Sequence, residues 1–221
     1  MPGVIIGLKD LHYALLYQDD INNGVTYQAP VKIAGAIQAS INPNSSLETL
    51  FYDDSPGETA ASMGMIELEL IAADFDLATQ AVLLGHTIEG AILKRKAGDV
   101  PPWVAIGFKA LKSNGKYRFV WLLKGKFQQP EQSHETKGES VNFQTPTLVG
   151  SFVKRDYDDK WIHQTDEDHA DYVPSIGANW FNAVSDGSDT VLYDDMGQPS
   201  VMVRIPKFNL SDVITGAPAT P

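Results

Sequence analysis

Apolar and polar residues alternate with a period of two along most of this 221-residue chain. That is the pattern of strands with one buried face. Leu11, Tyr13 and Leu15 alternate with His12 and Ala14. Val31 and Ile33 alternate, and beyond Gly35 so do Ile37, Ala39 and Ile41. A glycine inside such a run predicts a bulge or bend at Gly35. Ile66, Leu68 and Leu70 face one way with Glu67 and Glu69 opposite. The clearest hairpin lies between Trp103 and Phe127, where Val104, Ile106 and Phe108 lead into Ser113-Asn114-Gly115 and Tyr117, Phe119, Trp121 and Leu123 lead away. Asn-Gly between two alternating runs is a strong hairpin signal, because both residues tolerate positive φ.

The remaining elements follow from punctuation. Asp19 to Gly24 reads as a polar turn containing Asn22-Asn23-Gly24. A strand is expected over Val141–Val153, and Pro146 within it predicts an edge or a bulge because proline donates no ladder hydrogen bond. Lys160 to His163 adds a short strand. One helix is predicted at about 76–84, with Asp76 as N-cap, Leu77, Ala81 and Leu84 at helical spacing, and Gly85 as C-terminal stop. At two to three turns it needs a sheet to lie on. The fold class is therefore mainly β: two packed antiparallel sheets, a β-sandwich or barrel, with one short flanking α-helix.

Two segments break the pattern. Residues 43–63 are rich in Pro, Ser, Asp and Gly, yet carry Leu47, Leu50, Phe51 and Tyr52. A long connection with apolar residues is either an interaction element or an Ω-loop that turns its aromatics inward. The segment 43–63 is expected to project as a loop or hairpin, with Leu50, Phe51 and Tyr52 as anchors. Residues 185–221 form a C-terminal extension, with a linker-like Asp186-Gly187-Ser188-Asp189, a hairpin around Met196-Gly197 and a Pro- and Ala-rich tail. The chain thus reads as a β domain over 1–184 and an extension over 185–221.

Charge and chemistry exclude more than they assign. Net charge is −11, yet residues 1–90 carry −10, residues 91–154 carry +7 and residues 155–221 carry −8. A basic centre between acidic flanks either serves self-association or disperses once the chain folds. The acidic total disfavours ordinary nucleic-acid binding. With no cysteine there is no disulfide, thiolate nucleophile or Cys-based zinc site. The N-terminal apolar run is too short for a signal peptide, and no stretch approaches the ~20 apolar residues of a membrane span. The sequons at Asn44 and Asn209 read as chance. No phosphate loop, dinucleotide glycine pattern or nucleophile elbow is present.

His163, Asp166, Asp168 and His169 are the best metal-like cluster, but the spacing of the two histidines suits neither a strand face nor a helix, and a solvated acidic loop is the plainer reading. Asp53 and Asp54 belong to a turn. Glu67 and Glu69 share a strand face as catalytic carboxylates would, although such a pair usually marks a solvent face. Trp103, Trp121, Trp161 and Trp180 make either a sugar-binding platform or core, with Trp121 assigned to core. No cofactor, metal or catalytic residue is expected.

Several stretches, taken in order, resemble the major tail proteins of long-tailed bacteriophages of Gram-positive hosts. They are Gly7–Ala14, Pro30–Ala36, Thr49–Asp54, Leu83–Thr87, Pro101–Arg118, Thr136–Pro146 and Ala178–Phe181, covering about 7–184. The resemblance implies a two-sheet fold with one helix. It further implies subunits that form six-membered rings stacked into a hollow tail tube, made in the host cytoplasm and residing in the virion. Implied partners are further copies of the chain, a tape-measure protein and tail initiator and terminator proteins, with DNA passing through unbound and no membrane involved. On that reading 43–63 docks on the next ring through Leu50, Phe51 and Tyr52, and Glu67 and Glu69 line an acidic lumen. A carbohydrate- or receptor-binding β-sandwich on a virion or cell surface is the alternative, and a hydrolase lacks any motif.

Overall fold

The stretches of alternating residues become strands, and most turn their apolar set inward. Val31 and Ile37 are instead 40% and 52% exposed, Ile37 at a register shift of its strand, and the set of Trp121 and Leu123 faces the other way. A computed structural model describes residues 3–52, 55–132, 136, 145–184, 189–193 and 199–204, with only the backbone described at 50–52, at 56 and beyond 188. The chain divides into two compact units, Met1–Val184 and Ser185–Pro221. The second contains an antiparallel hairpin of β12 (Asp189–Tyr193) and β13 (Pro199–Arg204).

In the first unit, nine strands join one antiparallel sheet. They are β1 (Ile5–Asp20), β2 (Gly24–Tyr27), β3 (Val31–Ile33), β4 (Ala36–Tyr52), β5 (Ser55–Ala72), β8 (Val104–Lys112), β9 (Tyr117–Phe127), β10 (Thr147–Val153) and β11 (Ile162–Asp166). The order is β2-β1-β8-β9-β10-β5-β4, with β3 beside β2 on β1 and β11 beside β10 on β9. β6 (Thr87–Glu89) and β7 (Ile92–Lys94) form a separate small hairpin. β1 and β4 stand far apart in this order, yet they approach each other, so the sheet curls over a shared interior. The two packed layers thus belong to one hydrogen-bonded sheet, which stays open between β4 and β1 among the described residues.

The interior holds Leu11 and Tyr13 of β1, Ile66, Leu68 and Leu70 of β5, Val104, Ile106 and Phe108 of β8, and Val120, Leu122 and Phe127 of β9. The helix α1 (Leu77–Leu84) closes it with Leu83 and Leu84. The Asp76 side chain accepts from Thr79 N–H at 3.0 Å and Gly85 takes φ 74°, as the sequence predicts. Gly85 also has no room for a Cβ, which would fall 2.3 Å from the Val100 carbonyl oxygen.

A second apolar layer was not legible in the sequence. Trp121 and Leu123 of β9 face away from the interior, with Ala14 and Ala105. Residues 167–184, which include the short helix α2 (Pro174–Asn179), cover them with Trp180, Phe181 and Val184. Trp121 Nε1 donates to the Trp180 carbonyl at 3.0 Å. Phe181 stacks on His12 with centroids 4.3 Å apart and meets Trp121 edge-on. β9 is therefore buried on both faces, which is why its sequence holds an apolar run rather than clean alternation.

Two local expectations change in detail. Asn114 does not adopt positive φ. Gly115 alone does, at 78°, while Gly115 N–H bonds to the Lys112 carbonyl and Lys112 N–H to the Lys116 carbonyl. This is a three-residue turn with a glycine bulge rather than a two-residue Asn-Gly turn. Pro146 stands just before β10, and β10 is an interior strand between β9 and β5. The missing proline N–H is accommodated by starting the strand one residue later. Residues 141–144 lie outside the described residues.

Candidate assembly surface

The segment 43–63 is neither a loose connection nor an Ω-loop. It is the outer half of a long hairpin in which β4 and β5 pair from Ala36–Ala72 out to Tyr52–Ser55. Only its inner half belongs to the body. β10 pairs with β5 from Ile71 to Ile66 and no further, and β4 ends the strand order. From Ser45 to Tyr52 and from Ser55 to Met65, therefore, the two strands have no other strand partner among the described residues. The arm leaves the body at a register shift between Pro43 and Ser45. There Asn44 Nδ2 donates to the Met65 carbonyl, and Gly64 admits no Cβ because the Asn44 carbonyl oxygen would lie 2.9 Å away.

The arm spans about 30 Å from Pro43 to Tyr52 at ~3.3 Å per residue. Polar pairs such as Ser46–Ser62 and Thr49–Thr59 bridge its strands. Leu47 is 73% exposed, and Met63 and Met65 are exposed as well. A two-stranded ribbon with free edges and uncovered apolar side chains is marginal in water by itself. Leu50, Phe51 and Tyr52 pair through their backbones with Glu58, Pro56 and Ser55. Their side chains lie outside the described residues, as do Asp53 and Asp54.

Glu67 and Glu69 are exposed, while Ile66, Leu68 and Leu70 on the same strand are buried. Glu67 stands in a cross-strand row with Asn42, Ser151 and Lys126, and Glu69 in one with Ser40 and Val149. Both glutamates thus sit on the outer face of a β5 that the arm extends. No ion pair involving either is formed among the described residues, and they join no metal-like group there.

The charge blocks largely meet within the molecule. Lys112 bridges Asp166 and Asp168, and Arg118 binds Asp166 through two parallel hydrogen bonds. Arg118 and then Lys112 hold the Asp166 carboxyl at about 2, below its ordinary 3.8. Lys109 and Lys32 similarly hold Asp10 at about 2. Burial works against ionised Asp19, but Lys124 and the N–H groups of Asp156 and Tyr157 outweigh it and lower its pKa. Arg155, fully buried, grips Asp158 and reaches Tyr27, whose phenol burial pushes up to about 12. These pairs fasten residues 155–168 to β1, β8 and β9. Asp166 and Asp168 of the metal-like cluster are therefore ion-pair partners, and among the described residues no group of three or more ligands is placed to hold a metal.

The tryptophans do not form one platform. Trp121 is buried, Trp161 packs against the interior, Trp180 covers the second layer, and only Trp103 is substantially exposed. Lys124 and Lys126 hold their ammonium groups 5.2 and 4.6 Å from the Trp103 ring centre. The strap of 167–184 escaped sequence reasoning, because nothing near Trp180-Phe181 in the chain shows which face of the sheet it covers. No protein-family model and no curated protein matches this chain.

Proposed function

We propose that this protein is a structural subunit that self-assembles into stacked rings forming the tail tube of a long-tailed bacteriophage. The observation that carries the reading is the β4–β5 arm. It extends beyond the last strand that supports it, and among the described residues both its edges are unpaired and Leu47, Met63 and Met65 are uncovered. A second copy of the chain supplies the missing partner. A subunit that offers an arm at one place and receives one elsewhere makes head-to-tail contacts, and these generate rings and open filaments. The resemblance of residues 7–184 to major tail proteins selects the tube among such filaments. In it, Leu50, Phe51 and Tyr52 anchor the arm on the next ring, and Glu67 and Glu69 face a lumen through which DNA passes without binding. Tape-measure, initiator and terminator proteins complete the tail.

Sedimentation velocity with negative-stain microscopy over rising protein concentration tests this. Rings and tubes of one subunit are the expected result. A compact monomer at every concentration, together with no tube in particles that carry the protein, overturns it.

A further inference from the structure

His12 belongs to a cross-strand row beneath the strap of 167–184. In register order the row runs Lys32 of β3, His12 of β1, Gly107 of β8, Trp121 of β9 and His163 of β11. Directly paired residues share a face of a sheet. His12 and Trp121 therefore stand on the face that the strap covers, and Phe181 touches both rings. A Cβ at Gly107 would fall 2.6 Å from the Trp121 ring, so this glycine lets the indole lie over β8.

The strap is held unevenly. Its first residues are pinned by charge: Asp168 accepts from Lys112 Nζ at 2.5 Å, and Glu167 accepts from Tyr117 N–H at 2.8 Å. Its far end rests on rings. Phe181 lies face to face on His12, 4.3 Å away and 12° from parallel, and the Trp180 carbonyl accepts from Trp121 Nε1. Between the two ends, α2 buries no residue. Trp180 Nε1 is buried without a partner among the described residues, so the closed strap leaves a hydrogen bond unmade.

His12 is the titratable group in contact with Phe181. Its Nδ1 lies 2.8 Å from the Asp10 carbonyl, and the phenyl ring covers one of its faces. Burial lowers its pKa from the ordinary 6.5. The Asp10 carbonyl and carboxylate push it up, and Lys32 of β3 and Lys109 of β8 push it down. On the strap, His169 and Asp171 are exposed and 3.6 Å from each other. The fold thus favours the neutral imidazole, so closure is fully stabilised above pH 6.5 and weakens as pH falls below it. Histidine titrates in that range, where a change of charge can loosen a contact. Asp168 stays ionised there, since Lys112 lowers its pKa, and the start of the strap stays pinned. We propose that residues 169–184 are an acid-released cover: protonation of His12 loosens Phe181, and the far end of the strap lifts from Trp121 and Leu123.

Thermolysin cleavage of the full chain within 169–184, normalised at each pH to a free peptide of the same residues, tests it. Between about pH 6.5 and about pH 5.5 the wild-type rate is expected to rise about three- to tenfold, the upper value being the limit for one proton per pH unit. His12→Phe keeps a flat ring against Phe181 with no proton to take, and its rate is expected to stay level. His12→Gln, which also takes no proton, replaces it if circular dichroism at neutral pH shows that the phenylalanine variant does not fold. A wild-type rate that is level across this range overturns the proposal. So does a rise that persists in the folded His12 variant, as it would if His163 or His169 were the sensor.

Discussion

Arg118 and Asp166, 48 residues apart, face each other across β9 and β11 through two parallel bonds, Nε to Oδ1 at 2.6 Å and Nη2 to Oδ2 at 2.7 Å. Lys112 Nζ lies 2.8 Å from the same carboxylate. The folded-state pKa of about 2 lies below the ordinary 3.8, so ionised Asp166 stabilises the fold above that ordinary value. The contribution is lost as pH falls from about 4 through about 2. Asp166→Asn is expected to lower the melting temperature at neutral pH, with the gap to wild type closing as pH approaches about 2. Melting curves followed by circular dichroism across that range check this; a pH-independent gap rules it out.

Gly115 holds the β8–β9 turn at φ 78° with open space where a Cβ would go. Strain, not crowding, therefore governs substitution. Gly115→Val is expected to destabilise the protomer by about 1–3 kcal/mol, because a β-branched residue at positive φ is strongly disfavoured. Chemical denaturation measures it, and an unchanged midpoint contradicts the turn geometry.

Phe181 touches His12, Phe119 and Trp121 at once. Phe181→Ala removes the ring that seals the second apolar layer. A loss of about 1–3 kcal/mol is expected for truncating a partly buried aromatic, below the cost of a fully buried one. Residues 167–184 should then become sensitive to limited proteolysis while the first 150 residues stay protected. Uniform sensitivity along the chain would mean that the segment is not a separate cover.

Leu50, Phe51 and Tyr52 stand on the arm's outer third, beyond the last residue of β5 that pairs with β10. Replacing all three by Ser is expected to leave the far-ultraviolet circular dichroism spectrum unchanged and to abolish tubes, as aromatic anchors dominate docking energy. Unfolding of the variant would place these residues in the core instead.

Glu67 and Glu69 are exposed on the face opposite the interior. If they line the lumen, converting both to Lys turns rings of negative charge into phosphate-binding ones. Tubes of the Glu67→Lys, Glu69→Lys variant are expected to retain duplex DNA at low salt and release it as salt rises, by counterion release. Wild-type tubes should retain none. Equal behaviour of the two places these glutamates elsewhere on the tube.

What the sequence determined by itself is local. Period-two alternation made β1, β5 and β8 strands and chose Leu68 over Glu67 for burial, because side chains on a strand alternate faces. Asp76 and Gly85 bounded α1, because a cap needs only its own first and last turns. What only the tertiary structure decided is non-local. Ser-, Gly- and Ala-rich residues 44–64 carry no apolar alternation, and their pairing follows from the inner half of the hairpin, whose register is set by the core. The sequence leaves the basic block of 91–154 either to serve self-association or to disperse on folding, and in the fold Lys112, Arg118 and Lys124 pair with Asp166, Asp168, Asp19 and Asp156. Those carboxylates lie up to 105 residues away in the chain. Only packing brings them within reach, since Coulomb attraction falls with distance in space and not with separation in sequence.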